Sequence, residues 1–513
     1  MRATLIDLFA GAGGLSLGLD AAGFESVLAV EASPMAAETY FRNFIDRDVD
    51  EWVRHETNRD VDAQIAKGLA VSKTGVVLDH VESVRRRLRD HPLDLLAGGP
   101  PCQGFSLAGM RNPADQRNQL PFEFLRFVDE LRPRAVLIEN VVGIGLSFAK
   151  IPGEAPLEQL RKALAMKGYL AQIFEVNARD FGVAQDRPRI MIVGLHLDEV
   201  QRLLPDMSAE VLRDVPVARW SSSQPGQMSL DSARSPLDDL LVPACLVDPR
   251  RPTVEDALDD LCGVVSQPSD YVVRLNQILV PPAGPDPDGP GNLTYRRHSR
   301  RTSLRFQLHL ALAAKGVRGD IFSVRVGQAS QEAQVNVERD PRKARGRVRL
   351  TPEEARDRVL HQLRKLSVST PLTFRGAPII DPETDTDVGQ DLDSLATAIV
   401  ALGTLKHSQR ALAGSLPSPT ILSLPDDFVH HLEPRTLSVR EMARLQSFPD
   451  AFRFYSKETT GGHSRRIEVP QYTQVGNAVP PWMAYRVGSH LYNLLLRSAA
   501  RAVDHAGNAE PVR

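Results

Sequence analysis

Short apolar runs alternate with amphipathic stretches through the first two hundred residues, and nothing else in the sequence limits the fold so tightly. TLIDLF (4–9), SVLAVE (26–31), LDLLAG (93–98), RAVLIEN (134–140) and IMIVGL (190–195) read as buried parallel strands. Helical patterns lie between several of them, at residues 120–133 and 155–169. Strand and helix in alternation give a doubly wound α/β sheet. In such a sheet ligands bind at the carboxyl ends of the strands.

The alternation then stops. Residues 220–252 are rich in Ser, Pro and Asp, and VPPAGPDPDGPGN (280–292) has the composition of a linker. Residues 327–349 look exposed, and 379–393 look acidic and irregular. Order returns near residue 417. The chain closes with a polar loop, YTQVGNAVPP, and a long helix with an apolar face. This layout predicts a first catalytic part over 1–200, an inserted region over 201–430 and a return to the first part over 431–513. With 513 residues there is ample chain for a core plus such an insertion.

Composition excludes several classes. No apolar run is long enough to span a bilayer, and the N-terminal stretch lacks a signal-peptide layout, so a cytoplasmic location is expected. The three cysteines, Cys102, Cys245 and Cys262, show no CxxC pairing or metal-ligand spacing, and no metal is expected. A formal net charge of -2 does not mark a nucleic-acid binder, so any basic surface must be local.

Two constellations carry chemistry. DLFAGAGGLSLGL (7–19) is a strand, a glycine turn and a helix start, where Gly11, Gly13 and Gly14 let a ligand approach backbone donors. Glu31, about twenty residues on, stands at the end of the next strand, where a carboxylate can accept from ribose hydroxyls. A nicotinamide dinucleotide would explain these residues as well as any other nucleoside cofactor, and tight helix–strand packing is the ordinary alternative. The lysine-ended phosphate loop is absent, which disfavours ATP. The second constellation begins at GGPPCQGFS, where Pro101 and the glycines display Cys102 in a loop after the fourth run. Glu139 ends the next strand. Arg187 and Arg189 alternate in QDRPRI, so both can point one way and draw a thiolate from Cys102. Taken singly, Glu139 could cap a helix and the arginines could form surface ion pairs.

FAGAGGLSLGL, GGPPCQGFS, IENV, QDRPRI, REMARLQSFPD and QVGNAVPP, in this order, resemble the motif set of DNA cytosine-5 methyltransferases. The resemblance covers residues 4–195 and 417–497. It implies a Rossmann-like S-adenosylmethionine-dependent methyltransferase core with a large inserted target-recognition domain, and it favours S-adenosyl-L-methionine over NAD. It further implies that Cys102 adds to C6 of cytosine and that Glu139 bonds N3 and the exocyclic amine. Arg187 would lie beside the cytosine carbonyl with Arg189 as its support, on a base flipped out of the duplex. Pro101 would shape the cysteine loop, and residues 103–109, including Gln103 and Ser106, would close over the DNA. For the cofactor the resemblance implies Phe9, Gly11, Gly13, Glu31, Leu120, Asn477 and Val479. The family's acid on the third strand has no clear match, and Asp79 in VVLDHV is the candidate.

Within the insertion the resemblance is weak. LTYRRHSRRTSLRF (293–306) and residues 339–350 are basic clusters, and Arg296, Arg297, Arg300 and Arg301 are the candidate phosphate contacts. Expected partners are double-stranded DNA and a cognate nuclease or other phage-defence protein. Three alternatives stay open at this stage. They are an RNA (tRNA) cytosine-5 methyltransferase, a catalytically inactive DNA-binding module, and a nicotinamide oxidoreductase.

Overall fold

The computed structural model describes residues 2–89, 91–101, 120–145, 155–207, 219–222, 247–284, 290–317, 321–322, 350–404, 409–461, 464 and 467–507. It divides into two compact units. The first holds residues 1–292, 416–423 and 439–513, and the second 293–415 and 424–438. The division departs from the sequence expectation, since the described residues between 201 and 292 group with the first unit. The return is also split. Ser418–Pro419 pairs with Gln185–Asp186 in the first unit, whereas Phe428–Val429 pairs with Arg410–Ala411 in the second.

The first unit is built on one sheet. Its strands are β1 (Ala3–Leu8), β2 (Phe24–Glu31), β3 (Leu69–Val71), β4 (Leu95–Gly98), β5 (Ala135–Asn140), β6 (Tyr169–Asn177), β8 (Pro188–His196) and β9 (Arg219–Ser221); β7 is the short Gln185–Asp186. The order across the sheet is β3-β2-β1-β4-β5-β8-β6-β9. β1, β2, β3, β4 and β5 run parallel, but β8 is antiparallel to both β5 and β6, so IMIVGL is not a parallel strand. β3 and β6 were not anticipated. β3 is only three residues long, and β6 begins at Tyr169, immediately after the helix Pro156–Met166.

The sheet is buried because both faces are covered. β4 and β5 are buried along their whole length, as expected of strands between helical layers. On one face Ile6, Leu8, Leu96 and Ile138 pack with Phe124, Phe127 and Val128 of the helix Leu120–Leu131. On the other, α1 (Gly14–Ala21) crosses the C-terminal helix Pro481–Gly507. The crossing is close because small residues meet there. A Cβ on Gly18 would lie 2.2 Å from the Pro481 carbonyl oxygen and 2.6 Å from the Ala484 Cβ. QVGN, expected as loop, is helical within Gln471–Asn477.

The second unit has its own apolar core. Helices Arg300–Ala314, Pro352–Lys365 and Leu392–Ala401 bury Leu304, Leu308, Val359, Leu363, Leu395 and Ile399 together. Residues 379–393, expected to be irregular, form a hairpin pairing Ile380–Asp381 with Thr386–Asp387, followed by the start of a helix.

Candidate active site

At the end of β1 the chain turns sharply, and Phe9, Gly11 and Gly13 take φ values of 59°, 57° and 95°. Such left-handed angles suit glycine at the last two positions, and Gly13 caps α1 without a side chain. Space above Gly11 is open, with no atom within 4 Å of where a Cβ would stand. Glu31, at the end of β2, grips this turn. Its Oε2 accepts the Gly11 N–H at 2.9 Å and its Oε1 the Ser33 N–H at 2.7 Å. Burial raises the pKa of Glu31 against those amide bonds.

Beneath the turn lies a carboxylate that the sequence reading passed over. Asp7 is fully buried, accepts the Ser16 hydroxyl of α1 at 2.5 Å, and has no partner for Oδ1 among the described residues. Burial pushes its pKa up to about 7, with Glu31 adding repulsion. An acid inside the apolar run TLIDLF was the available signal.

The far end of the chain completes this half of the site. A Cβ on Gly14 would stand 2.4 Å from the Val479 carbonyl oxygen, so residue 479 lies directly against the start of α1. Asn477 ends the short helix Gln471–Asn477 just before it, and that helix is tied to the core by Gln474, which accepts the Thr39 hydroxyl at 2.7 Å. Leu120 opens the helix Leu120–Leu131 and is half-buried. Asp79 does not fit its expected place. β3 ends at Val71, whereas Asp79 is an exposed residue at the C-terminus of the helix Thr74–Leu78. VVLDHV spans the end of that helix and a turn at Asp79 and His80, since the third strand has already ended eight residues before Asp79.

The second half is formed by β4, β5 and β8. After β4, Gly99, Pro100 and Pro101 run beside the end of β5. The Asn140 amide donates to the Pro100 carbonyl at 3.2 Å, and a Cβ on Gly99 would be 3.4 Å from Glu139 Oε2. Cys102, Gln103 and Ser106 lie outside the described residues. Glu139, 9% exposed, is ion-paired with Arg189, whose Nε lies 2.9 Å from Oε1. Sheet register explains the pair. Glu139 faces Met191 across the antiparallel ladder, and Arg189, two residues before Met191, projects from the same face.

Arg187 goes elsewhere, contrary to the expectation that both arginines point one way. Its guanidinium is 2% exposed and donates to the carbonyls of Ile421 at 3.2 Å, Gly476 at 2.8 Å and Ala478 at 3.0 Å. Pro188 stands between the two, and Arg187 precedes β8 while Arg189 lies within it. Neighbouring polar side chains extend this buried lattice. Gln185 donates to Gln446 Oε1 at 2.9 Å, and Gln446 donates to the Val475 carbonyl at 2.8 Å.

In the second unit, two of the four candidate arginines are occupied. Arg296 pairs with Asp426 at 2.6 Å and Arg301 with Glu383 at 3.0 Å, while Arg297 and Arg300 are exposed.

A glycine turn gripped by an acid, with a second acid paired to an arginine along the same sheet edge, is shared by several nucleoside-dependent enzymes. A sequence model of one family, described as C-5 cytosine-specific DNA methylase, matches residues 3–242 and 337–493. The chain belongs to this family. DNA is therefore its substrate and S-adenosylmethionine its methyl donor, and it is a DNA cytosine-5 methyltransferase. It is 29% identical to the type II methyltransferase M.AgeI of Thalassovita gelatinovora over 507 residues, covering 93% of this chain and 96% of that protein. It is 26% identical to the type II methyltransferase M.DdeI of Desulfomicrobium norvegicum, over 95% of this chain and 88% of the relative. Among solved structures, a putative DNA modification methyltransferase encoded within an E. coli prophage superposes with a TM-score of 0.53 at 21% identity, over 96% of this chain and 99% of that one. That likeness supports the Rossmann-like methyltransferase fold. Among the described residues no helix is long and apolar enough to cross a membrane.

The residues present fit the cofactor. The methyltransferase has open space over Gly11, and the orphaned, buried Oδ1 of Asp7 lies under the same turn. Carboxylates at Asp7 and Glu31 suit a ligand that carries a sulfonium charge and ribose hydroxyls.

Proposed function

We propose that the enzyme methylates cytosine within a short duplex sequence, with Cys102 as nucleophile and a base flipped out of the helix. The Cys102 thiolate adds to C6 of the ring, which makes C5 nucleophilic. Bound S-adenosylmethionine supplies an electrophilic methyl group to that carbon. Loss of the C5 proton and expulsion of the thiolate then restore the aromatic ring. Glu139 hydrogen-bonds the N3 edge and exocyclic amine, and offsets the negative charge that thiolate addition places on the ring.

The observation that carries this reading is the Glu139–Arg189 ion pair, at the end of β5 beside the Pro100–Pro101 turn. A carboxylate so fixed has a set orientation beside the Pro100–Pro101 turn. The same pair supports Arg189, in place of Arg187, as the arginine that reaches the cytosine carbonyl. Arg187 instead braces the backbone on either side of Asn477, a candidate cofactor contact.

The second unit is the candidate target-recognition domain, with its own core and exposed basic side chains. The resemblance to type II methyltransferases supports a biological role in marking self DNA beside a cognate nuclease, in the cytoplasm. Methylation sequencing of DNA from a methylation-free host, expressing wild type or Cys102→Ala, tests the reading. Cytosine methylation confined to one short motif and absent with Cys102→Ala is the expected result. Equal signal from the two would exclude Cys102 as nucleophile.

A further inference from the structure

Charged side chains are segregated along the helix Pro352–Lys365 of the second unit. Glu353, Glu354 and Asp357 lie in its first half, and Arg358, His361, Arg364 and Lys365 in its second. The first half is engaged within the unit. Glu354 Oε2 accepts the Thr351 N–H at 2.8 Å in a reciprocal cap, and Arg356 pairs with Asp393. In the second half Val359 and Leu363 are buried, whereas Arg358, His361, Arg364 and Lys365 point away from them and are exposed, as a period of about 3.6 residues requires. From Arg358 to Lys365 this face runs about 10 Å, at about 1.5 Å per residue.

The helix closes with a Schellman turn. The Ser367 N–H donates to the Arg364 carbonyl at 3.0 Å and the Val368 N–H to the Leu363 carbonyl at 3.1 Å. Ser367, at φ 53°, takes the left-handed position where glycine is usual, and Ser367, Ser369 and Thr373 are all exposed. Residues 358–380 hold three Arg, one Lys and no Asp or Glu, in a chain whose 62 basic and 64 acidic residues nearly balance.

Ordinary reasons for surface cations do not account for this face. A solvated helix offsets its cations with acids three or four positions away. Arg364 and Lys365 have none, and Glu354, four residues before Arg358, is committed to the cap. The helix dipole favours cations only within the last turn, which leaves Arg358 out. Among the described residues none of Arg358, Arg364 and Lys365 is ion-paired, unlike Arg356 on the same helix.

We infer that Arg358, Arg364 and Lys365 form a docking face for one strand of the DNA backbone, each cation meeting a phosphate. The inference rests on DNA as the substrate and on the second unit as its recognition domain. One strand of the duplex carries a charge about every 3.4 Å along the axis, so a face of about 10 Å spans three phosphates. Those phosphates lie on the outside of a stacked duplex, and the exposed hydroxyls after the helix are further donors to them.

The test measures binding of full-length enzyme to a labelled duplex containing the sequence found methylated in the host, across a salt series. Replacing the three cations together (R358Q, R364Q and K365Q) is expected to reduce the slope of log affinity against log salt by about 2.7, at about 0.9 per phosphate contact. A duplex lacking the methylated sequence is expected to lose affinity by the same factor, because phosphates carry no sequence information. R356Q, whose charge is already paired, is expected to keep the wild-type slope. The charge-conserving set R358K, R364K and K365R is expected to keep it too, which separates lost charge from a misfolded unit.

An unaltered slope in the triple glutamine variant overturns the face, as does a loss confined to the duplex that carries the methylated sequence. A slope that also falls in the charge-conserving set overturns it by assigning the effect to the fold. R297Q with R300Q, elsewhere in the second unit, distinguishes the levels of failure. If that pair lowers the slope and the triple variant does not, only the face falls. If neither does while wild type binds, the second unit is not the recognition domain.

Discussion

Replacing Arg187 by Met separates an architectural role from a catalytic one. Methionine fills most of the volume, so the loss is chiefly of hydrogen bonds to the Ile421, Gly476 and Ala478 carbonyls at 3.2, 2.8 and 3.0 Å. A buried acceptor left without a donor costs about 1–3 kcal/mol. The native fold already bears the desolvation of this cation, which offsets part of the loss. Taking the low end for each carbonyl gives a destabilisation of about 3 kcal/mol. At roughly 2 °C per kcal/mol for a unit of this size, the first unit's melting midpoint falls by about 6 °C in calorimetry. Gly476 and Ala478 flank Asn477, so S-adenosylmethionine affinity, measured by titration calorimetry, is expected to fall with it. Arg189→Met is expected to act on the reaction in place of cofactor binding. Methylation slows about 10²- to 10³-fold, since the charge partner of Glu139 is lost, while S-adenosylmethionine affinity moves little; the melting midpoint falls here too, because the buried Glu139 carboxylate is left unpaired. The account fails if Arg187→Met melts with the wild type yet has lost methylation, because Arg187 would then act on the substrate.

Two further outcomes follow from the packing under the cofactor turn. Gly18→Ala raises intrinsic helix propensity by about 1 kcal/mol, but its methyl would stand 2.2 Å from the Pro481 carbonyl oxygen and 2.6 Å from the Tyr485 nitrogen. Overpacking of this kind costs about 1–3 kcal/mol or more, so a lower urea midpoint is expected, and a raised one would show that the two helices separate freely. Asp7, with a folded pKa of about 7 above an unfolded value of about 3.9, keeps in the folded state a proton that the unfolded chain has lost. Stability from this group is therefore greatest below about pH 4 and declines as pH rises towards 7, by on the order of 4 kcal/mol across that window. Asp7→Asn lacks the decline, so its stability relative to wild type must improve between pH 5 and pH 8; parallel stability curves over that range would refute the assignment.

Much of the molecule is legible in the linear chain, for local reasons. Apolar runs such as LDLLAG and RAVLIEN read as buried strands because they are short and bounded by turn residues, and the glycines after TLIDLF demand a turn of unusual backbone. Glu139 at a strand end, and Arg189 at the start of another, follow from the same patterning. Strand direction does not. A strand buried on both faces has the same composition whether it runs parallel or antiparallel, so IMIVGL carried no sign that β8 reverses. That reversal sets the register that joins Arg189 to Glu139. Periodicity is equally silent about Asp79, because a third strand of only three residues leaves too short a pattern to read.

What only the tertiary structure decided is where side chains find partners far along the chain. Arg187 and Arg189 look equivalent in QDRPRI. They part because one meets backbone carbonyls from residues 421, 476 and 478 and the other meets a carboxylate on the neighbouring strand. The same holds for the boundary at residue 293, which depends on which core the apolar side chains join. Local sequence determines which elements form. The pairing of polar groups buried between them is settled only when distant segments meet, since each buried donor must find its acceptor in the folded chain.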